Sequence, residues 1–259
     1  DSFADVAVGE ERALSEAYRT TKRGPKPRGH GLNDLYVRFY RMAERRIVEQ
    51  SGKGIVCFIS NYSWLDGLSH PGMRERYLEV FDGIWVDSLN GDKYRTGKTT
   101  PEGKPDPSIF STPSNPEGIQ VGTAIALLLR QEPHAQLGEV HYRDLWGKGK
   151  LHQLANEART LEEAALERDE SAVKAYGAEM ETVAPDWALG YPFRPLDTAG
   201  DYLDWPQLPE LFPTHFPGVQ SGRSDLVVDI DRSRLVRRMK QYFSLDVSHD
   251  VMSDICPQA

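Results

Sequence analysis

The sequence predicts an α/β fold whose sheet is mostly parallel and turns mixed at its later strands. Three observations carry this. GIVCFIS (54–60) is a short, nearly continuous apolar run rich in β-branched residues, the pattern of a strand covered on both faces. Residues 33–50 place Leu35/Tyr36, Phe39, Met42/Ala43 and Ile47 on one helical face, with arginines and glutamates opposite. Strand-like and helix-like segments then alternate with short connections.

In chain order, Phe3, Val6 and Val8 precede a short helix expected over 9–18. The polar linker TTKRGPKPRGHG (20–31) follows. Asn33 and Asp34 are placed to cap the 33–50 helix, and Gly52 or Gly54 to end it. GIVCFIS buries Cys57. Ser69 caps a helix to Phe81, with Pro71 in its first turn and Met73, Tyr77 and Leu78 inward. GIWVDSL (83–89) is a second strand, IQVGTAIALLLR (119–130) holds a third, and the alternation of VHYRDLW (140–146) suggests a further one. A helical pattern over 151–183, broken near 169–171, forms a connector (151–185) between a first domain (1–150) and a second one (186–259). The second opens on the proline- and aromatic-rich DWALGYPFRPLDTAGDYLDW. It contains a strand-like LVVDI (226–230) and a helix over 231–242.

Bulk composition narrows the function. No segment approaches 18 apolar residues, and five acids fall in the first 20 residues, which argues against a membrane span or a secretory leader. Two cysteines are too few for a disulfide scaffold or zinc cluster, and a cytoplasmic chain is expected. The net charge of −8 hides an asymmetry: 18–31 carries five lysines or arginines and no acid. Such a patch can bind phosphate whatever the total charge. No phosphate loop, dinucleotide fingerprint or G-x-S-x-G occurs, and the seven histidines lack ligand spacing. Asp92 with Glu102-Gly-Lys104 formally matches the acid…acid-x-lysine arrangement of metal-dependent nucleases. A metal site needs the second acid and the lysine on a rigid strand, and here they lie among Pro101, Gly103 and Pro105.

The tract LNDLYVRFYRMAERRIVEQSGKGIVCFISNYSWLDGLSHPGMRERYLEVFDGIWVDSLNGDKYRTG, followed by PDPSIFS and GIQVGTAIALLLR, resembles the DNA adenine-N6 methyltransferase region of type ISP restriction-modification enzymes. YPFRPLDTAGDYLDW is similar to the start of that family's C-terminal specificity domain, where the family has a more basic and aromatic version. The resemblance implies that 1–150 is the C-terminal half of a Rossmann-like methyltransferase sheet and 186–259 the beginning of a target-recognition domain. It also implies double-stranded DNA and upstream modules of the same polypeptide as partners. S-adenosylmethionine would serve the intact enzyme, with ATP and Mg serving its helicase and nuclease modules. The family's Asn-Pro-Pro-Tyr tetrapeptide and its glycine-bearing S-adenosylmethionine motif are absent, so this chain alone is expected to be inactive and to bind no cofactor or metal.

The remaining residues can be given roles on that reading. N6 methylation requires the adenine to leave the helix for a pocket. By the family match, Phe110 in PSIFST faces the base. Asn61, Tyr62 and Trp64 lie just past the end of a strand, where α/β sites sit, and are placed to line the base side. Lys93, Arg95, Lys98 and Lys104, together with Arg19, Lys22, Arg23, Lys26 and Arg28, are positioned to contact backbone phosphate. A non-catalytic DNA-binding module is the alternative.

Overall fold

The structure, a computed structural model, describes residues 14–135, 139–168, 171, 179–214 and 224–255. Phe3, Val6 and Val8, residues 9–13 of the expected first helix, and the expected break near 169–171 (Ser171 apart) lie outside the described residues. The chain divides into two compact units, Asp1–Ala199 and Gly200–Ala259.

The first unit is built on a five-stranded sheet. Its strands are β1 (Gly54–Asn61), β2 (Gly83–Asn90), β3 (Thr123–Arg130), β4 (Glu139–Asp144) and β5 (Glu181–Val183), in the spatial order β1-β3-β2-β4-β5. β3 lies antiparallel between β1 and β2, which therefore run the same way; β4 is parallel to β2, and β5 is antiparallel to β4. The sheet is thus mixed, and the expectation of a mostly parallel one is corrected: among the described residues three of its four pairings are antiparallel and β2–β4 alone is parallel, because β3 returns between β1 and β2. Helix α1 (Leu35–Arg45) continues as a π-helical turn (Arg46–Ser51), closed by Gly52 at φ 74°. Helix α2 (Pro71–Val80) joins β1 to β2, and α3 (Lys150–Glu167) follows β4.

One face of the sheet carries the core. Val56, Ile84, Val86, Ala124, Ala126, Leu128, Val140 and Tyr142 share it with Tyr40, Trp64, Met73, Tyr77, Phe81 and Phe193. The inward Met73 and Tyr77 match the expected face of α2. Two other expectations fail in part. On α1 and the turn that continues it, Tyr36, Ala43 and Ile47 pack against the core as expected, but Val37, Tyr40, Arg41 and Glu44 are the buried residues, and Leu35, Phe39 and Met42 are 67, 57 and 58% exposed. The reason is polar. Glu44 accepts from Tyr18 Oη (2.6 Å), Arg41 Nη1 (2.6 Å) and Arg76 Nε, so a carboxylate with three donors occupies the inward position. Hydrophobic periodicity does not register such a site. On β1, Val56 points to the core while Ile55 and Ile59 are 60 and 46% exposed and Cys57 is also exposed. β1 is an edge strand covered on one face only, so the uniformly apolar GIVCFIS alternates between core and solvent.

The segment around 190–194 belongs to the first unit. Arg74, fully buried, donates from Nε and Nη2 to Gly190 O (2.9 and 2.7 Å) and from Nη1 to Trp64 O (2.7 Å). Phe193 N donates to Leu65 O (2.7 Å), and the Phe193 ring enters the core. The second unit therefore begins later than residue 186.

In that unit α4 (Leu208–Leu211), α5 (Ser224–Val227), α6 (Arg232–Tyr242) and α7 (His249–Ile255) are helical. LVVDI, expected as a strand, instead ends a helical turn. Its carbonyls find a side-chain donor: Arg238 reaches Leu226 O (2.8 Å) and Val228 O (2.9 Å). No strand occurs in this unit among the described residues.

Candidate functional site

The carboxyl ends of β1, β2 and β4 lead into the loops 61–70, 91–122 and 145–149; the first two hold Asn61, Tyr62, Trp64, Lys93, Arg95, Lys98, Lys104 and Phe110, whereas Arg19, Lys22, Arg23, Lys26 and Arg28 lie on the linker docked on α2. Asn61 ends β1 and its Oδ1 accepts from Ser63 N (2.8 Å) and Ser63 Oγ (2.7 Å), capping the 3-10 turn Tyr62–Leu65. That turn drives Tyr62 and Trp64 inward. Trp64 packs edge-on against Tyr77 and Phe193, and both Tyr62 and Trp64 are almost fully buried. Tyr62 also lies so close to the chain at Gly122 that a Cβ there would come within 2.1 Å of its ring. Neither ring is presented to a ligand, and the expectation that Tyr62 and Trp64 line a base pocket is corrected: both are core aromatics. Burial together with the neighbouring Asp92 charge pushes the Tyr62 phenol up to about 12.

The 91–122 loop is tightly organised around two carboxylates. Asp92 Oδ1 accepts from Tyr94 N (2.7 Å) and Arg95 N (2.8 Å), Oδ2 accepts from Gly122 N (2.8 Å), and the Asp92 carbonyl takes Lys98 N and Thr96 Oγ1. Burial raises its pKa, but these amide donors outweigh that and hold the carboxyl below the ordinary range. Asp106 is fully buried. It accepts from Gly91 N (2.8 Å), Gly147 N (2.7 Å) and Lys150 Nζ (2.7 Å), tying the ends of β2 and β4 to α3. Gly91 is required beside it, since at φ 70° an added Cβ would sit 2.8 Å from Ser108 Cα. Desolvation lowers the pKa of Lys150, opposed by Asp106.

With Asp92 consumed by backbone amides and Glu102 bonded to Thr100 Oγ1 (2.9 Å), the acid…acid-x-lysine pattern builds no metal cage. No group of three potential metal ligands occurs among the described residues. Phe110 follows a turn in which its N–H donates to Ser108 Oγ (3.2 Å), and its ring is 40% exposed.

The expected phosphate contacts sort by their partners. Arg95 forms a two-pronged pair with Asp66 (3.1 and 2.7 Å), whose hydrogen bonds and charge raise its pKa against the lowering effect of burial. Lys93 and Lys98 both face Glu117, at 3.6 and 3.9 Å. Lys104 has no ion-pair partner among the described residues. On the linker, Arg19 pairs with Glu16 and Lys22 with Glu79, and Arg23 lies 5.6 Å over the Trp187 ring. Glu75 accepts from Lys22 N (2.6 Å) and Arg23 N (2.9 Å), fastening the linker to α2. Lys26 and Arg28 are exposed on the same segment. The two basic stretches are docked segments, and most of their charges already face an acid.

Sequence reading missed Arg194, which lies in YPFRPLD. Its guanidinium sits 4.6 Å over the Tyr62 ring and 5.8 Å over Tyr142, with Nη2 3.4 Å from Ser88 Oγ. The signal was the fit of YPFRP to the carboxyl edge, and only the fold brings position 194 back to residues 62 and 88.

Neither protein-family models nor curated proteins give a match to this chain. Solved structures do. The ATP-dependent type ISP restriction-modification enzyme LlaBIII bound to DNA is similar over 96% of this chain and 16% of its own, at 19% identity and TM-score 0.57. A nuclease-deletion mutant of the type ISP restriction-modification enzyme LlaGI with a DNA substrate mimic is similar over 96% and 20%, at 19% and 0.59. The DrdV–DNA complex is similar over 96% and 25%, at 18% and 0.53. The chain thus spans at most a quarter of the length of these proteins, and at these identities the likeness is one of fold.

Proposed function

We propose that this chain is the C-terminal half of an S-adenosylmethionine-dependent DNA adenine-N6 methyltransferase region, followed by the start of a target-recognition domain, within a type ISP-like restriction-modification polypeptide. The observation that carries the reading is fold likeness along 96% of the chain to three DNA-bound proteins, two of them type ISP enzymes. The sheet supports it: an antiparallel β3 sits between β1 and β2, which run the same way, and β1 is an edge strand among the described residues. On this reading the sheet continues past β1 with strands from other parts of the polypeptide.

The described residues do not fit S-adenosylmethionine. The turn after β1 is filled by Tyr62 and has no glycine-rich cradle, and the acid that ends it, Asp66, is already paired with Arg95. The cofactor and the catalytic tetrapeptide therefore belong to partner segments, as do the ATP and Mg of any helicase or nuclease module. What this chain supplies is positioning. Phe110 stands out from the carboxyl edge to face an extruded adenine, and the exposed Lys26, Arg28 and Lys104 orient duplex phosphate.

The test compares two polypeptides in transfer of labelled methyl groups to duplex DNA. This chain alone is expected to transfer none, and the polypeptide encoded contiguously with it is expected to label adenine N6. Transfer by the chain alone, or none by the contiguous polypeptide, overturns the reading.

A further inference from the structure

Helix α6, Arg232–Tyr242, is the most basic element of the chain: RSRLVRRMKQY has five cationic residues and no acid, in a protein of net charge −8. Asp231 caps it, its Oδ1 accepting from Ser233 N (2.7 Å) and Arg234 N (3.2 Å). The helix has three distinct sides. Met239 and Tyr242 pack against Leu226 and Met252. Arg234 and Arg238 turn to Asp229, at 3.8 and 2.9 Å. The third side carries Arg232, Arg237 and Lys240, all exposed, and none has an acidic partner among the described residues. With Ser233, Val236, Gln241, Ser244 and Val247 they line an open groove of about 790 Å³.

This sorting of charge is informative. Two of the five cations hold the fold of the unit together, and the other three share one groove with no acid lining it among the described residues. Arg232 and Lys240 are about 12 Å apart along the axis, at 1.5 Å per residue, with Arg237 between them. A row of exposed cations on this scale matches a row of phosphates and has no comparable match in a neutral or cationic partner. Val236 on the groove floor and the small Ser233 and Ser244 leave room for a backbone to lie against the helix.

We infer that the α6 groove holds the phosphodiester backbone of duplex DNA through Arg232, Arg237 and Lys240. It would act as a sequence-independent positioning contact of the second unit. The inference rests on the DNA reading above and adds a surface to it that the basic stretches of the first unit do not include.

The test measures binding of the 259-residue chain to duplexes of unrelated sequence across a salt series. Each phosphate contact contributes about 0.9 to the slope of log K against log salt, so R232Q/R237Q/K240Q should lower that slope by about 2.7, equally for every sequence. Because the three side chains are exposed, the triple variant should keep the wild-type circular dichroism and melting temperature. Arg237→Lys keeps the charge and should keep the slope. Arg234→Gln, on the paired side, should leave it unchanged. A triple variant that binds with the wild-type slope overturns this inference and leaves the DNA reading standing. A wild-type chain that binds no duplex at low salt removes both. Tighter binding of single-stranded RNA, lost in the triple variant, would overturn the assignment to duplex DNA.

Discussion

Two kinds of titratable side chain in the first unit make its stability depend on acid in separate ranges. His70 is buried, with Tyr36 Oη 3.2 Å from its Nε2, and burial together with the Arg74 charge lowers its pKa to about 4. The unfolded imidazole titrates near 6.5. Between those values the unfolded chain binds the extra proton, so stability falls as pH drops from about 6.5 toward 4. Asp92 and Asp82 act lower. For each, burial raises the pKa, but amide donors outweigh that, joined at Asp82 by His134, and hold the carboxyl below the ordinary value. Their contribution is complete above about pH 4 and is lost as pH falls through the depressed folded values. Urea midpoints measured against pH should therefore decline in two stages. His70→Gln should remove most of the first stage, and Asp92→Asn part of the second while costing stability at neutral pH. A midpoint that is flat from pH 6.5 to 4.5 in the wild type would contradict the His70 assignment.

At the scale of elements, α1 separates what a sequence reveals from what it hides. Its helical character and its closure at Gly52 were readable from period and composition, as were the strands at 54–61, 83–90 and 123–130. Its inward face was not, because Glu44 is buried by donors 26 residues before it (Tyr18) and 32 after it (Arg76), pairings that no local pattern contains. Asp34 stands at the N-cap position as expected but makes no side-chain cap bond. The site shows the same division: the loop 90–112 and Phe110 could be located by composition and resemblance, whereas the roles of Asp106, Lys150 and Arg194 exist only once β2, β4 and residue 194 converge. The rotation of α1 has a measurable consequence. Glu44→Ala leaves the Arg41 and Arg76 guanidiniums facing an empty site and should cost about 3–5 kcal/mol. Phe39→Gln, on the outward side, should change the stability of this chain by no more than about 0.5 kcal/mol. Denaturant titrations of the two variants decide between the observed face and the one that periodicity suggests; the reverse order of costs would favour the latter.

At the scale of the whole molecule, the sheet is asymmetric in what covers it. Toward β4 the outer face is closed by Arg143, which pairs with Asp87 (2.6 Å) and with Glu157 of α3 (2.6 Å). Toward β1 it ends in Ile55, Cys57 and Ile59 and an open row of backbone donors and acceptors. An exposed apolar edge strand is an association site unless something pairs with it. The proposed function names the occupant: further strands of the same polypeptide, in proteins of which this chain spans 16–25%. Cys57 reports on that cover directly, because its thiol is exposed on the strand in question. In the 259-residue chain under native conditions it should alkylate at a rate close to that of the denatured chain, with the labelled site identified by peptide mapping. In the contiguous polypeptide it should be protected, and protection should be lost only on unfolding. Equal, rapid labelling of Cys57 in both would mean that the outer face of β1 stays uncovered in the longer protein, whatever strand pairs with its edge.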